Sequence, residues 1–121
     1  MCKVYFVATP IGNLGDISYR AVETLKNADL LLCEDTRHSR ILLDRYGVNE
    51  PLKSFHKFNE KKTLDFVCDT VRSGKTVAVI SDAGMPCVSD PGYLLVRRLI
   101  EEKIDYTVLP GACAFVTAFV M

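Results

Sequence analysis

Four short segments, KVYFVA (3–8), DLLLCE (29–34), TVAVIS (76–81) and YTVLP (106–110), are apolar through their middles, and helix-like stretches separate them. A strand with one face in water alternates apolar and polar residues. A continuous apolar run instead marks a strand covered on both faces, the situation in parallel sheets. Parallel strands joined through helices need right-handed crossovers that lay helices over the sheet. LKSF (52–55) is a fifth, weaker strand. The expected fold is α/β: a three-layer domain with a mostly parallel sheet of about five strands.

The intervening stretches carry helix signals. SYRAVETLKNA (18–28) places Ala21, Val22, Leu25 and Ala28 at helical spacing, with Ser18 as cap. TRHSRILLDRY (36–46) ends at Gly47, which suits the left-handed position after a helix. EKKTLDFVCDTVRS (60–73) has Asn59 as cap, Gly74 as stop and Leu64, Val67, Cys68 and Val71 on its inner face. GYLLVRRLIEEK (92–103) begins after Pro91, and GACAFVTAFVM opens a last helix.

Composition removes several classes of function. Fifteen basic and fifteen acidic residues balance, so no global field draws the chain to nucleic acid or membrane. A polyanion would have to meet a local patch. Residues 37–62 offer one, with Arg37, Arg40, Arg45, Lys53, Lys57, Lys61 and Lys62 against three acids. The five cysteines form no CxxC pair or metal-ligand spacing, and read as reduced thiols of a cytoplasmic protein. MCKVYFVATPIG has only about six apolar residues in a row, too short for a signal peptide or membrane span. The expectation is a cytoplasmic protein with no metal and no membrane partner.

Polar loops cluster at one edge. ATPIGNLGD follows the first strand, EDTRHS the second, SDAGMPCVSDPG the fourth and PGACA the last. All four lie at the carboxyl edge of the expected sheet, where α/β proteins bind ligands. Glycines there let backbone amides approach a ligand, and helix N-termini favour negative groups. Yet GxGxxG and GxxxxGK[ST] are absent, as are GxSxG and HExxH. Pattern alone implies a small-ligand site at that edge, of unspecified chemistry.

The combination TPIGNLGD, EDTR, SFHKFNE, SDAGMPCVSDPG and VLPGACA resembles the bacterial small-subunit ribosomal RNA 2′-O-methyltransferase family. That family is of the tetrapyrrole-methylase type, which uses S-adenosylmethionine (SAM). The resemblance runs through all 121 residues and implies methyl transfer from SAM to the ribose 2′-oxygen of a cytidine in the decoding region of 16S rRNA, within the small ribosomal subunit. It implies that residues 1–121 are an N-terminal SAM-methyltransferase domain whose C-terminal partner lies outside this chain, that the isolated piece is inactive, and that the protein forms a homodimer.

The resemblance also implies site residues. Pro10, Asp82, Ala83, Gly84, Val88, Ser89, Ala112 and Cys113 are the SAM contacts, Cys113 standing where the family usually has Ser. Asp35 is the candidate base beside the reacting hydroxyl. Arg37 and His56 are the candidate RNA contacts, Arg37 because a guanidinium binds phosphate bidentately, with packing beside Phe55 and Phe58 as the alternative for His56. An ion pair of Asp35 or Glu34 with Arg37 is the structural alternative. Asp90 reads as a helix cap. Two other functions stand beside this one: a methylase of a small tetrapyrrole-like substrate, which EDTR and TPIGNLGD argue against, and a non-catalytic nucleotide-binding module of flavodoxin-like architecture.

Overall fold

A computed structural model of the chain describes residues 3–55, 60–82, 84, 86 and 92–121. Its elements are β1 (Val4–Val7), α1 (Tyr19–Asn27), β2 (Leu30–Cys33), α2 (Thr36–Arg45), β3 (Leu52–Ser54), α3 (Glu60–Arg72), β4 (Val77–Val79), α4 (Gly92–Glu101), β5 (Tyr106–Leu109) and α5 (Ala114–Val120). The five strands form one sheet in the order β3-β2-β4-β1-β5, and every pairing between them is parallel. A 3-10 turn, Leu14–Asp16, sits in the loop after β1.

The apolar strand runs have a direct physical reading. Val4, Phe6, Leu30, Leu32, Val77 and Val79 join a core with Leu64, Val67 and Val71 of α3 and Leu95 and Leu99 of α4. Their chain neighbours Val7, Leu31, Cys33, Ala78 and Ile80 join a second core with Ala21 and Leu25 of α1 and Leu43 of α2. Successive side chains point to opposite faces, so a strand covered on both sides must be apolar at every position. The three layers expected from the sequence are therefore α1/α2, sheet and α3/α4. Edge strand β5 is less covered, and Val108 is 50% exposed.

Local signals place the helix ends. Ser18 Oγ accepts from the Ala21 amide at 3.0 Å, the capping bond that starts α1. Gly47 (φ +68°) and Gly74 (φ +93°) take the left-handed conformation just after α2 and α3. The expected caps Asn59 and Asp90, and Pro91, lie outside the described residues. Arg98 of α4 pairs with Glu102 and with Asp65 of α3, at 2.9 Å for Asp65, and so ties the two helices together.

Among the described residues Cys33, Cys68 and Cys113 are unpaired thiols. Burial pushes the Cys33 thiol from 9.0 up to about 11, with the Asp82 and Asp35 carboxylates adding to the rise. The folded state then holds this proton more tightly than the unfolded chain does. Its contribution to stability is complete below about pH 9 and is lost as pH climbs towards 11. Thermal melts between pH 8 and 11 are expected to decline, and to decline less steeply in Cys33→Ala. Equal slopes would show that this thiol is not coupled to folding.

Candidate functional site

The order of the strands decides where a ligand can sit. α1 and α2 cover one face of the sheet and α3 and α4 the other. β4 lies between β2 and β1, and the chain leaving β4 turns to the opposite face from the chains leaving either neighbour. Crevices open at such points, beyond the carboxyl ends of the strands. Both crevices beside β4 contain residues that the sequence singles out.

Between β4 and β1, an antiparallel bridge joins the loops. The Thr9 amide donates to Gly84 O at 2.9 Å, and the Gly84 amide donates to Thr9 O at 2.9 Å. Ser81 Oγ also donates to Gly84 O, at 3.2 Å. Gly84 has φ +79°, and a Cβ built on it would lie 3.0 Å from Ile11 Cγ2 and 3.6 Å from Ala112 O. Three loops, those after β1, β4 and β5, thus converge on one glycine. Beside them Gly111 approaches β1 so closely that a Cβ would lie 2.7 Å from Ala8 Cβ. The structure brings together Pro10, Asp82, Gly84, Ala112 and Cys113 at this edge. Pro10 is buried, Ala112 and Cys113 are half-buried, and Cys113 precedes α5 with its side chain making no capping bond. Ala83, Val88, Ser89 and His56 lie outside the described residues.

Between β4 and β2, the backbone amide of Asp35 donates to Asp82 Oδ1 at 3.2 Å. The Asp35 carboxylate itself caps α2, accepting from the Arg37 amide at 2.9 Å. That backbone hydrogen bond is the main cause that holds the Asp35 carboxyl below its usual range. Such a group is ionised at neutral pH, a good hydrogen-bond acceptor and a weak base. The Arg37 guanidinium lies 3.7 Å from Asp35 Oδ1 with its side chain 93% exposed. An ion pair that open to water contributes little to stability.

The same crevice contains a cavity of about 90 Å³. Thr9, Pro10 and Leu14 wall it on one side, His38, Ser39, Ile41 and Leu42 of α2 on another, and Ser81 and Asp82 at the end of β4. Larger open grooves occur elsewhere, one of about 350 Å³ between Tyr5, α1 and Thr76 at the opposite end of the strands. That groove is far from all four polar loops, and its lining is that of an ordinary solvated surface.

Thr9 and Ser39 are contributors that the motif reading overlooks. Ser39 carries a legible signal: it falls three and four residues before Leu42 and Leu43, so its hydroxyl sits on the inward face of α2. It is 3% exposed. Thr9 carries no such signal, because its partner is 75 positions away.

Comparisons with known proteins agree with this fold. A protein of Mycoplasmopsis pulmonis named ribosomal RNA small subunit methyltransferase I is 57% identical over 120 residues, 99% of this chain and 54% of that protein. Its namesake in Buchnera aphidicola is 50% identical over 95% of this chain and 40% of that one. The chain therefore spans about half the length of the curated relatives it matches. Among solved structures, uroporphyrin-III-C-methyltransferase from Thermus thermophilus superposes with a TM-score of 0.76 at 22% identity, covering 99% of this chain and 51% of the other, a likeness of fold. The profile of the Tetrapyrrole (Corrin/Porphyrin) Methylases matches residues 3–121, and to that family this chain belongs.

Proposed function

We propose that this chain is the donor-binding part of a SAM-dependent methyltransferase that modifies 16S rRNA in the small ribosomal subunit, at the ribose 2′-oxygen of a cytidine. The observation that carries the reading is 57% identity, across 99% of the chain, to a protein named for ribosomal RNA methylation. The finer identity of the target rests on the resemblance of TPIGNLGD, EDTR and SDAGMPCVSDPG.

The convergence on Gly84 fits a SAM cradle. A side chain at Gly84 would fill the gap between the Ile11 side chain and the Ala112 carbonyl, so the loops after β4 and β5 present backbone there. We assign SAM to Pro10, Asp82, Gly84, Ala112 and Cys113, with Ala83, Val88 and Ser89 as further contacts by resemblance, and we assign no metal. When bound, SAM supplies a methyl group on a sulfonium, an already good leaving group. What remains for the protein is alignment of the hydroxyl for in-line attack. Asp35, ionised at neutral pH, serves this best as an acceptor that orients the hydroxyl.

Arg37 and His56 are the proposed RNA contacts. Arg37→Ala is expected to weaken RNA binding and flatten its salt dependence while leaving SAM affinity and the melting temperature nearly unchanged. A lower melting temperature with normal RNA affinity would instead assign Arg37 to the ion pair with Asp35. A cytoplasmic homodimer with a second domain is also proposed. The longer relatives support the second domain. Exposed Tyr93, Ile100 and Phe119 on α4 and α5 support a covering partner, which sedimentation would reveal.

Calorimetry tests the central reading. The chain is expected to bind S-adenosylhomocysteine, weakly in the absence of the second domain, in preference to FMN or ATP. Preference for FMN would favour the flavodoxin-like module. Methyl transfer to 30S subunits is expected only from the longer protein, and robust transfer by residues 1–121 alone would refute the two-domain requirement.

A further inference from the structure

The loop after β5 meets the end of β1 at a point too close for two facing side chains. Gly111 does not have a positive φ, so space alone keeps it a glycine. A Cβ there would lie 2.7 Å from Ala8 Cβ, with the Ala8 Cα and carbonyl oxygen each at 3.9 Å. Ala8 is 5% exposed, and its methyl has no rotamer that would carry it out of the way. The strands leading into the contact give no slack, since Val7 and Leu109 are paired in register. The loop therefore rests on the Ala8 methyl as on a stop.

Thr9 follows directly, and it is tied in turn to the loop after β4. Its amide and carbonyl each exchange a hydrogen bond of 2.9 Å with Gly84. Two adjacent residues at the end of β1 thus fix both loops, Thr9 the one after β4 and Ala8 the one after β5. The separation of Gly84 from the Ala112 carbonyl follows from these two contacts. That oxygen lies 3.6 Å from where a Cβ of Gly84 would stand. Carbon atoms rest about 3.5–4.0 Å apart, so a Cβ on Gly111 would push its loop back by roughly 1 Å. Ala112 and Cys113, the next two residues, would move with it.

We propose, resting on the reading of this edge as the SAM site, that Ala8 is a positioning residue for the donor. It acts through Gly111, holding Ala112 and Cys113 at the distance from Gly84 at which the donor is gripped. The contact has room for one Cβ only. Moving the methyl from residue 8 to residue 111 keeps that number, because a Cβ on Gly111 would then have the Cα and carbonyl oxygen of residue 8 at 3.9 Å, ordinary contact. The loop would stay where it is.

The test is calorimetry with S-adenosylhomocysteine, with a thermal melt of each protein. Gly111→Ala is expected to bind roughly tenfold more weakly or worse, on the scale that a 1 Å misplacement imposes on a site. The double variant Ala8→Gly, Gly111→Ala is expected to return to within about threefold of the unaltered chain, a coupling that two independent losses would not produce. Gly74→Val, strained at the other end of β4, is expected to melt earlier and bind normally, which separates stability from binding. Unchanged affinity in a folded Gly111→Ala protein overturns the proposal. A double variant as weak as Gly111→Ala alone overturns it too. Where Gly111→Ala does not fold, the double variant is expected to fold and bind, and its failure to do either overturns the proposal. An unaltered chain that does not bind S-adenosylhomocysteine refutes the SAM reading and this inference with it.

Discussion

Gly84→Val is expected to abolish S-adenosylhomocysteine binding and to lower the melting temperature by roughly 5–10 °C. At φ +79° a β-branched residue is strained by about 1–3 kcal/mol, which in a chain of this size amounts to several degrees. The new Cβ would also press on Ile11 at 3.0 Å and occupy the space beside Ala112 O. The two hydrogen bonds to Thr9 would then be disturbed together. Strain alone is separable from obstruction by Gly74→Val. Gly74 has φ +93° with nothing within 4 Å of its missing Cβ, so this variant should be destabilised yet bind normally. Calorimetry on both, with a melt of each, decides the matter. Normal affinity in a folded Gly84→Val protein would remove this loop from the site.

Phe6→Ala is expected to cost about 3–5 kcal/mol, the usual range for emptying a buried aromatic site. Phe6 is 1% exposed and stacks edge-on against Tyr106, with ring centroids 5.8 Å apart. It sits on β1, between β4 and β5, where few neighbours can relax into the space. Since whole domains are stable by only about 5–15 kcal/mol, a large part of the fold's margin would vanish. Urea unfolding followed by circular dichroism measures it. Phe6→Leu, which keeps most of the volume, should cost far less. A loss below 1 kcal/mol in Phe6→Ala would mean that this core repacks freely.

Local chemistry made much of this molecule readable. Ser18 and Gly47 mark helix ends because capping and left-handed turns depend on a few adjacent residues. The apolar triplet Leu30, Leu31 and Leu32 announces a strand covered on both faces, and its side chains divide between the two cores. The carboxyl edge was legible as the candidate site because four polar loops repeat there. Strand order was not, since placing β1 between β4 and β5 depends on pairings between Val4 and the distant Val77 and Tyr106. Nor was the role of Thr9, for the same reason. Ser39 lay between the two cases: its position on an inward helical face is visible, but the cavity it borders exists only once three segments have met.

The bridge between Thr9 and Gly84 sets a rule of spelling as well as of shape. Each partner sits at a fixed distance along the chain from the end of its strand, Thr9 from Val7 and Gly84 from Val79. Inserting or deleting one residue in either interval would carry a partner out of step and break both bonds. Related sequences should therefore vary in length elsewhere, for example around Gly74, which is exposed with open space about it. In these two intervals the number of letters is under as strong a constraint as the letters themselves.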